Sequence, residues 1–255
     1  VTSMSNMFYG CSNLVTIYVS SSLWSTAKVT SSDNMFHACN KIVGGNGTTY
    51  NNNIKNATRA VIDAPGTPGY LTEKPTGDYL EVGTDGGATS KFLSTNILKG
   101  EIESITFTDS ITGHTVNGTD CFDVGVNKNG HVLAWVTDTD SDGYYEMTIG
   151  QSGGVVASSN AGYLFAYLTN LESMNGMQYF DTSNVIMMRY MFYGDTSLST
   201  LDLSIFNTSN VTSMYAMFYG CSGLTSLDLS NFNTSSVTNM GSMFRECKKI
   251  ESLDL

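Results

Sequence analysis

Charge is scarce in this chain. Lys, Arg, Asp and Glu together make up 14% of its 255 residues, against the usual quarter. Basic residues are the scarcer kind: 12 Lys and Arg stand against 23 Asp and Glu, a formal charge of -11. A surface of that sign repels phosphate, which excludes nucleic-acid binding through an electrostatic footprint and makes anionic membranes poor partners. No apolar run is long enough to cross a bilayer, so direct membrane insertion is not expected. The opening residues, Val1 to Met4, lack the basic flank and apolar core of a signal peptide; targeting pieces, if any, are expected elsewhere. The five cysteines show neither a C-x-x-C pair nor a Cys/His zinc spacing. Solubility therefore rests on Ser, Thr, Asn and Gly, a composition common in secreted and surface proteins.

What the chain does have is a period. Phe180, Phe206 and Phe232 are 26 residues apart, and so are Val185, Val211 and Val237. Met188, Met214 and Met240, then Met191, Met217 and Met243, keep the same step. Leu198, Leu224 and Ile250 follow in register, and after them Leu201, Leu227 and Leu253. Each copy reads as a short strand, a turn and a short helix. Leu227 and Leu229 share one strand face while Asp228 points away. Val237, Met240 and Met243 recur at every third position, which fits a helical face and not a strand. One such unit cannot hide its apolar side, so copies are expected to stack in a line.

The N-terminus repeats the module loosely. Met7, Phe8, Cys11 and Leu14 return as Met35, Phe36, Cys39 and Ile42, a step of 28. Both ends cut through a repeat, and on this reading the natural protein continues in at least one direction. Between the blocks the period disappears. Glycines, the three prolines Pro65, Pro68 and Pro75, and an Asn run at 51–53 mark residues 44–78 as turn-rich, with a brief element around Ile54 to Val61. From about 79 to 160, Ile102 to Phe107, Cys121 to Val126, Val132 to Val136, Tyr144 to Ile149 and Val155 to Ala157 read as strands separated by Asn-Gly, Asp-Gly and Gly-Gly turns. They predict a small antiparallel cap, and residues 161–170 predict a helix leading into Leu171.

The repeat text, with DTSNV or NTSNV, MxxMF and YGCS in fixed order, closely resembles the BspA-like leucine-rich repeat family of bacterial surface proteins over about 1–50 and 171–255. The middle, with GHVLAWVTD and YYEMTIG, is similar to the spacer found beside such repeats in gut-associated bacteria. The resemblance implies a leucine-rich-repeat solenoid, secretion or display on the cell surface, and adhesion to a protein or glycan. Departures are local: Asp195 stands at the repeat cysteine, and Arg245-Glu246 stands where other copies have Tyr-Gly.

Several groups could carry chemistry. Asp202, Asp228 and Asp254 share one outward strand position and predict a column of carboxylates, either a contact for a basic or hydroxylated ligand or a solvated row. Tyr9, Tyr193 and Tyr219 follow the repeat Phe; they are either recognition anchors able to stack on a sugar or a packing ladder. Thr182, Thr208 and Thr234, with the serines that follow, suit capping and have no base beside them. Cys11, Cys39, Cys221 and Cys247 share a core-facing position, either as buried thiols or as the pairs Cys11/Cys39 and Cys221/Cys247. His114, Cys121, Asp123 and His131 are the one grouping that suggests covalent catalysis. Asp138, Asp140, Asp142 and Gly143 open like a calcium loop, but Ile149 replaces the final Glu and strands flank it, so the alternative is an acidic hairpin. Asn46, Asn56, Asn117, Asn207, Asn210 and Asn233 sit in N-x-[ST] triplets, as this composition produces without glycans.

The sequence thus predicts an α/β leucine-rich-repeat solenoid of short parallel strands and short outer helices, interrupted by a small β-rich cap or spacer domain. Its parts are a truncated repeat block at 1–50, a linker at 51–78, the cap at 79–170 and repeats at 171–255. The expected function is a non-catalytic, monomeric extracellular or cell-surface recognition module for a host or microbial protein or glycan, with no cofactor unless calcium binds Asp138, Asp140 and Asp142. The alternatives are a passive spacer, or an enzyme site using Cys/His or carboxylate chemistry in 79–160.

Overall fold

Repeat side chains meet in stacked turns, not on helices. The computed structural model describes residues 1–19, 24–45, 47–64, 66–73 and 78–254; Asn46, Pro65, Pro75 and Leu255 lie outside them. The chain forms two compact units, Val1–Thr76 and Gly77–Leu255.

In the second unit four turn segments lie side by side, joined by parallel bridges from Asn160 to Met187 to Ser213 to Asn239. Alternate amides bond across to the next copy: Met188 N–H to Ser213 O (2.9 Å), Tyr190 N–H to Tyr215 O (3.0 Å), Phe192 N–H to Met217 O (2.9 Å) and Gly194 N–H to Tyr219 O (2.8 Å). The amides between them close tight turns three residues back, as Met191 N–H does to Met188 O and Tyr193 N–H to Tyr190 O. An α-helix needs every amide for its own carbonyl four residues back. Here half of them serve the neighbouring copy, and left-handed residues such as Tyr190 (φ 60°) and Gly194 (φ 78°) interrupt any helical path.

The expected α/β solenoid with outer helices is therefore overturned. Among the described residues helix is limited to three single 3₁₀ turns, Ala57–Arg59, Lys99–Glu101 and Met177–Tyr179, and the rest is short strands and turns. The three-residue spacing of Val, Met and Met was real; its cause is the turn closing at every third residue. The helix expected at 161–170 is likewise absent. Ala161, Tyr163, Phe165 and Tyr167 donate their amides to Met187, Arg189, Met191 and Tyr193, so this stretch is another stacked copy.

Eleven strands are described: β1 (Ile17–Val19), β2 (Leu71–Glu73), β3 (Ile102–Thr108), β4 (Cys121–Asp123), β5 (Val132–Thr137), β6 (Tyr145–Gln151), β7 (Val155–Val156), β8 (Ser173–Asn175), β9 (Phe180–Asp181), β10 (Ser226–Asp228) and β11 (Ser252–Asp254). The predicted cap strands form, but their sheet is mixed. Its order is β4-β5-β6-β3-β8, antiparallel between β4, β5 and β6 and parallel where β3 meets β6 and β8. Parallel pairs also join β7 to β9 and β10 to β11. One core runs from this sheet, through Phe107, Phe122 and Ile149, into the stacked copies, through Phe165, Phe192 and Phe218. Phe192 lies 5.5 Å from both Phe165 and Phe218, which in turn lies 5.8 Å from Phe244. Burying such a column stabilises by about 1.5–3 kcal/mol per side chain. Met214 is fully buried, whereas Met240, in the last described copy, is 40% exposed.

In the first unit Phe8 stacks on Phe36 at 5.5 Å, and Met4, Asn6, Phe8 and Gly10 donate to Ser31, Asp33, Met35 and His37 in the same alternating pattern. β1 and β2 pair in parallel over a small core of Met35, Phe36, Ile42 and Tyr70.

Candidate functional site

The left-handed residues that break the helix also decide where tyrosines point. Tyr163, Tyr167 and Tyr190 have φ of 57°, 65° and 60°, and each ring is turned to one flank of the stack, where it is half-buried. Tyr163 stacks on Tyr190 at 4.5 Å, and Tyr193 on Tyr219 at 4.9 Å. Edge contacts join Tyr190 to Tyr193 and Tyr215, and Tyr167 to Tyr193. The Arg245 guanidinium lies 5.5 Å from the Tyr219 ring centre, and the Lys99 ammonium 5.6 Å from that of Tyr167. The Tyr167 hydroxyl donates to Asp85 at 3.1 Å. Burial first, and Asp85 after it, push the Tyr163 and Tyr167 phenols up to about 12, so both keep their protons as donors. Of these six tyrosines the sequence pattern singled out Tyr193 and Tyr219. The others were hidden because Tyr163 and Tyr167 precede the next copy by 27 residues instead of 26, and because the 26-residue counterparts of Tyr190 and Tyr215 are Ala216 and Arg189. Tyr9 stacks on His37 at 4.7 Å in the first unit.

Asp228 and Asp254 are paired in register, and both are exposed, as is Asp202. At Asp202 and Asp228 serine contacts outweigh mutual repulsion. The Ser204 hydroxyl and amide hold Asp202 below the usual carboxylate range, and those of Ser230 do the same for Asp228. Each carboxylate accepts its serine amide at 2.9 Å. The groove beside Asp202 and Asp228 is only about 90 Å³.

The small polar residues of the turns stitch copies together. Thr182 Oγ1 accepts from Asn207 N–H at 2.9 Å, and Thr208 Oγ1 from Asn233 N–H at 2.8 Å. Cys39, Cys221 and Cys247 donate their thiols to the carbonyls of Phe8, Phe192 and Phe218 at 3.0, 2.9 and 2.9 Å. All five cysteines are free. The triplet asparagines serve the backbone: Asn56 caps the Ala57–Arg59 turn, and Asn207 and Asn233 each accept from the serine two residues on.

Asp138, Asp140 and Asp142 bring one carboxylate oxygen each within 4.8 Å of the others, all exposed, in the hairpin between β5 and β6. Their oxygens already accept the amides of Asp142, Gly143 and Tyr144. Glu146 is held by the Thr137 and Thr139 hydroxyls and does not join them. His114 and Cys121 line one cleft with Trp135 and Asp120, while His131 is exposed and does not line it. Burial and the neighbouring Asp120 push the Cys121 thiol up, which is the wrong direction for a nucleophile.

The stacked text has a counterpart among known families. Residues 1–64 and 160–254 match the family described as “Mycoplasma protein of unknown function, DUF285”. The chain belongs to that family. No curated protein and no solved structure matches it. The DUF285 match resumes at Asn160, where the ladder of copies begins in the second unit, and leaves out the stretch that supplies most of the five-stranded sheet. No described helix of this DUF285 chain is long and apolar enough to cross a membrane.

One irregular copy stands out within the family pattern. Asp195 occupies the cysteine position, fully buried; its Oδ1 accepts from Leu168 N–H at 2.9 Å and its Oδ2 has no partner among the described residues. Burial pushes its carboxyl well above the ordinary range, partly opposed by the Leu168 amide and Lys99. Lys99 is buried as well, donates to Thr84 O at 2.5 Å, and is lowered by its own burial. The sequence offered a signal for Asp195, its break from the cysteine column, but none for Lys99.

Proposed function

We propose that this chain is a non-catalytic recognition module of a bacterial surface protein, akin to the BspA-like repeat proteins, that works outside the cell and binds a host or microbial protein or glycan as a monomer. The observation that carries this reading is the tyrosine flank. Six tyrosines line one flank of the stacked copies, each half-buried, each in ring contact with a neighbour, and each leaving an edge to solvent. Tyrosine offers large contact area for little rotamer entropy, and rings already stacked lose less on binding. Copies at fixed spacing let several modest contacts act together. The net charge of -11 favours neutral or basic partners over nucleic acid. A recognition role also suits the protonated Cys121 thiol, and it requires no cofactor.

The test is an array of host-matrix proteins and glycans probed with the full chain and with the Tyr193→Ala/Tyr219→Ala double variant. Loss of two ring anchors is expected to weaken capture at least about tenfold. Equal capture by both proteins would move the contact off this flank, and no capture by the unaltered chain would favour a passive spacer.

A further inference from the structure

The outer face of the five-stranded sheet carries one large aromatic side chain. On β5, Ala134 and Val136 point into the core, so Trp135 points the other way, opposite Cys121 on β4 and Thr148 on β6. Gly150, two residues along β6 on that face, makes room for the indole. A Cβ there would lie 2.9 Å from the far ring edge and 2.6 Å from Ser110 O. The segment between β3 and β4 folds back over this face and lays the His114 imidazole on the indole, ring centres 3.8 Å apart and 16° from parallel. Beside the stacked pair is a cleft of about 300 Å³, also lined by Asp120, Asn117, Cys121 and Thr137.

Asn117 orients the polar side of this cleft and is used up in doing so. Its Oδ1 accepts from the amides of Thr119 (2.9 Å), Asp120 (3.1 Å) and Cys121 (3.2 Å), and its Nδ2 donates to one oxygen of Asp120. The second Asp120 oxygen and the His114 ring nitrogens have no hydrogen-bond partner among the described residues. The cleft therefore offers the open side of a stacked imidazole–indole pair, an ionisable acceptor and an imidazole that can both donate and accept.

We propose that this cleft binds a single neutral pyranose ring of a saccharide. The assignment rests on the recognition reading above and gives it a ligand class and a place. A pyranose presents polarised C–H bonds on one face, which suit the side of the stacked imidazole–indole pair that borders the cleft, and hydroxyls at its rim, which donate strongly to a carboxylate. The volume, at the lower limit for small-ligand pockets, suits one ring. Anionic sugars and phosphates would meet Asp120 in a chain of charge -11. Metal chelation is not favoured, since among the described residues three potential ligands converge only at Asp138, Asp140 and Asp142.

Trp135 reports on its own site once the other of the two tryptophans is replaced. A full-length Trp24→Phe protein is titrated with methyl β-glucoside, methyl β-galactoside and methyl α-mannoside while indole fluorescence is followed. A saturable change with at least one sugar is expected, weakened about tenfold or more when Asp120→Asn is added. Should Trp24→Phe fold poorly, the indole N–H resonance of Trp135 in the unaltered chain, assigned with Trp135→Phe, gives the same readout. No saturable change with any of the three sugars in folded protein overturns the proposal, and so does binding that Asp120→Asn leaves unchanged. If the arrays capture a partner while these titrations are silent, the cleft fails and the recognition reading stands. If both are silent, both fail.

Discussion

At the scale of single residues, Asp195 is the place where the repeat pattern is broken at a cost. Its sister positions hold thiols that donate to a Phe carbonyl, whereas its Oδ2 is buried with no partner among the described residues. Leaving a buried polar atom unpartnered costs about 1–3 kcal/mol, so Asp195→Cys is expected to raise stability at neutral pH by that order. The sign of the pH dependence follows from the raised carboxyl. The folded state holds this proton longer than the unfolded state does. Its contribution to stability is complete below the ordinary carboxylate range and is lost as pH rises through the folded value. The gain from Asp195→Cys should therefore grow with pH and shrink in acid, as denaturant midpoints at several pH values would reveal; a pH-independent difference would contradict it. Leu227 is the opposite case, a regular residue, 4% exposed and paired in register with Leu253. Leu227→Ala is expected to cost about 2–5 kcal/mol, and an unchanged unfolding midpoint would remove it from the core.

At the scale of the element, each copy depends on a left-handed residue at the end of its turn. Gly10, Gly194 and Gly220 fill this place at φ of 77–78°, and Glu246 fills it in the last copy at φ 64°. A side chain in this conformation costs roughly 1–2 kcal/mol. Glu246→Gly is therefore expected to stabilise by about 1 kcal/mol and Gly220→Ala to destabilise by a similar amount. The exposed Glu246–Lys248 pair at 3.3 Å is lost in the first variant, which matters little. Opposite shifts in thermal midpoint would confirm the geometry, while equal shifts would count against it. The same residues explain why the helix expectation failed. Periodic Met and Phe positions reveal which side chains are buried; they do not reveal whether an amide bonds within its own turn or to the next copy. The strands of the middle region were easier, because alternation of apolar residues between Asn-Gly and Asp-Gly turns has one simple reading. Which of them run parallel depended on pairings between distant segments.

At the scale of the whole molecule, strands and turns dominate, and the far-ultraviolet circular dichroism spectrum is expected to lack the helical double minimum. A pronounced helical signal would contradict the alternating bonding of the copies. The amino-acid sequence by itself determined the repeat step, the identity of most buried side chains, the strands around Ile105 and Ile149, and a relation to the BspA-like repeat proteins, because all of these are local or periodic properties of the text. It also marked Asp202 and Asp228 as outward positions, and left Tyr193 and Tyr219 open between recognition anchors and a packing ladder. Only the tertiary structure decided the rest. It turned the expected helices into stacked turns, found an extra copy at Ala161–Tyr167 behind a one-residue change of step, joined six tyrosines into one flank, and placed His114 on Trp135 beside Asp120. Those outcomes depend on which hydrogen-bond partner each amide finds and on how close distant segments come in space, and neither quantity is encoded in any single stretch of residues.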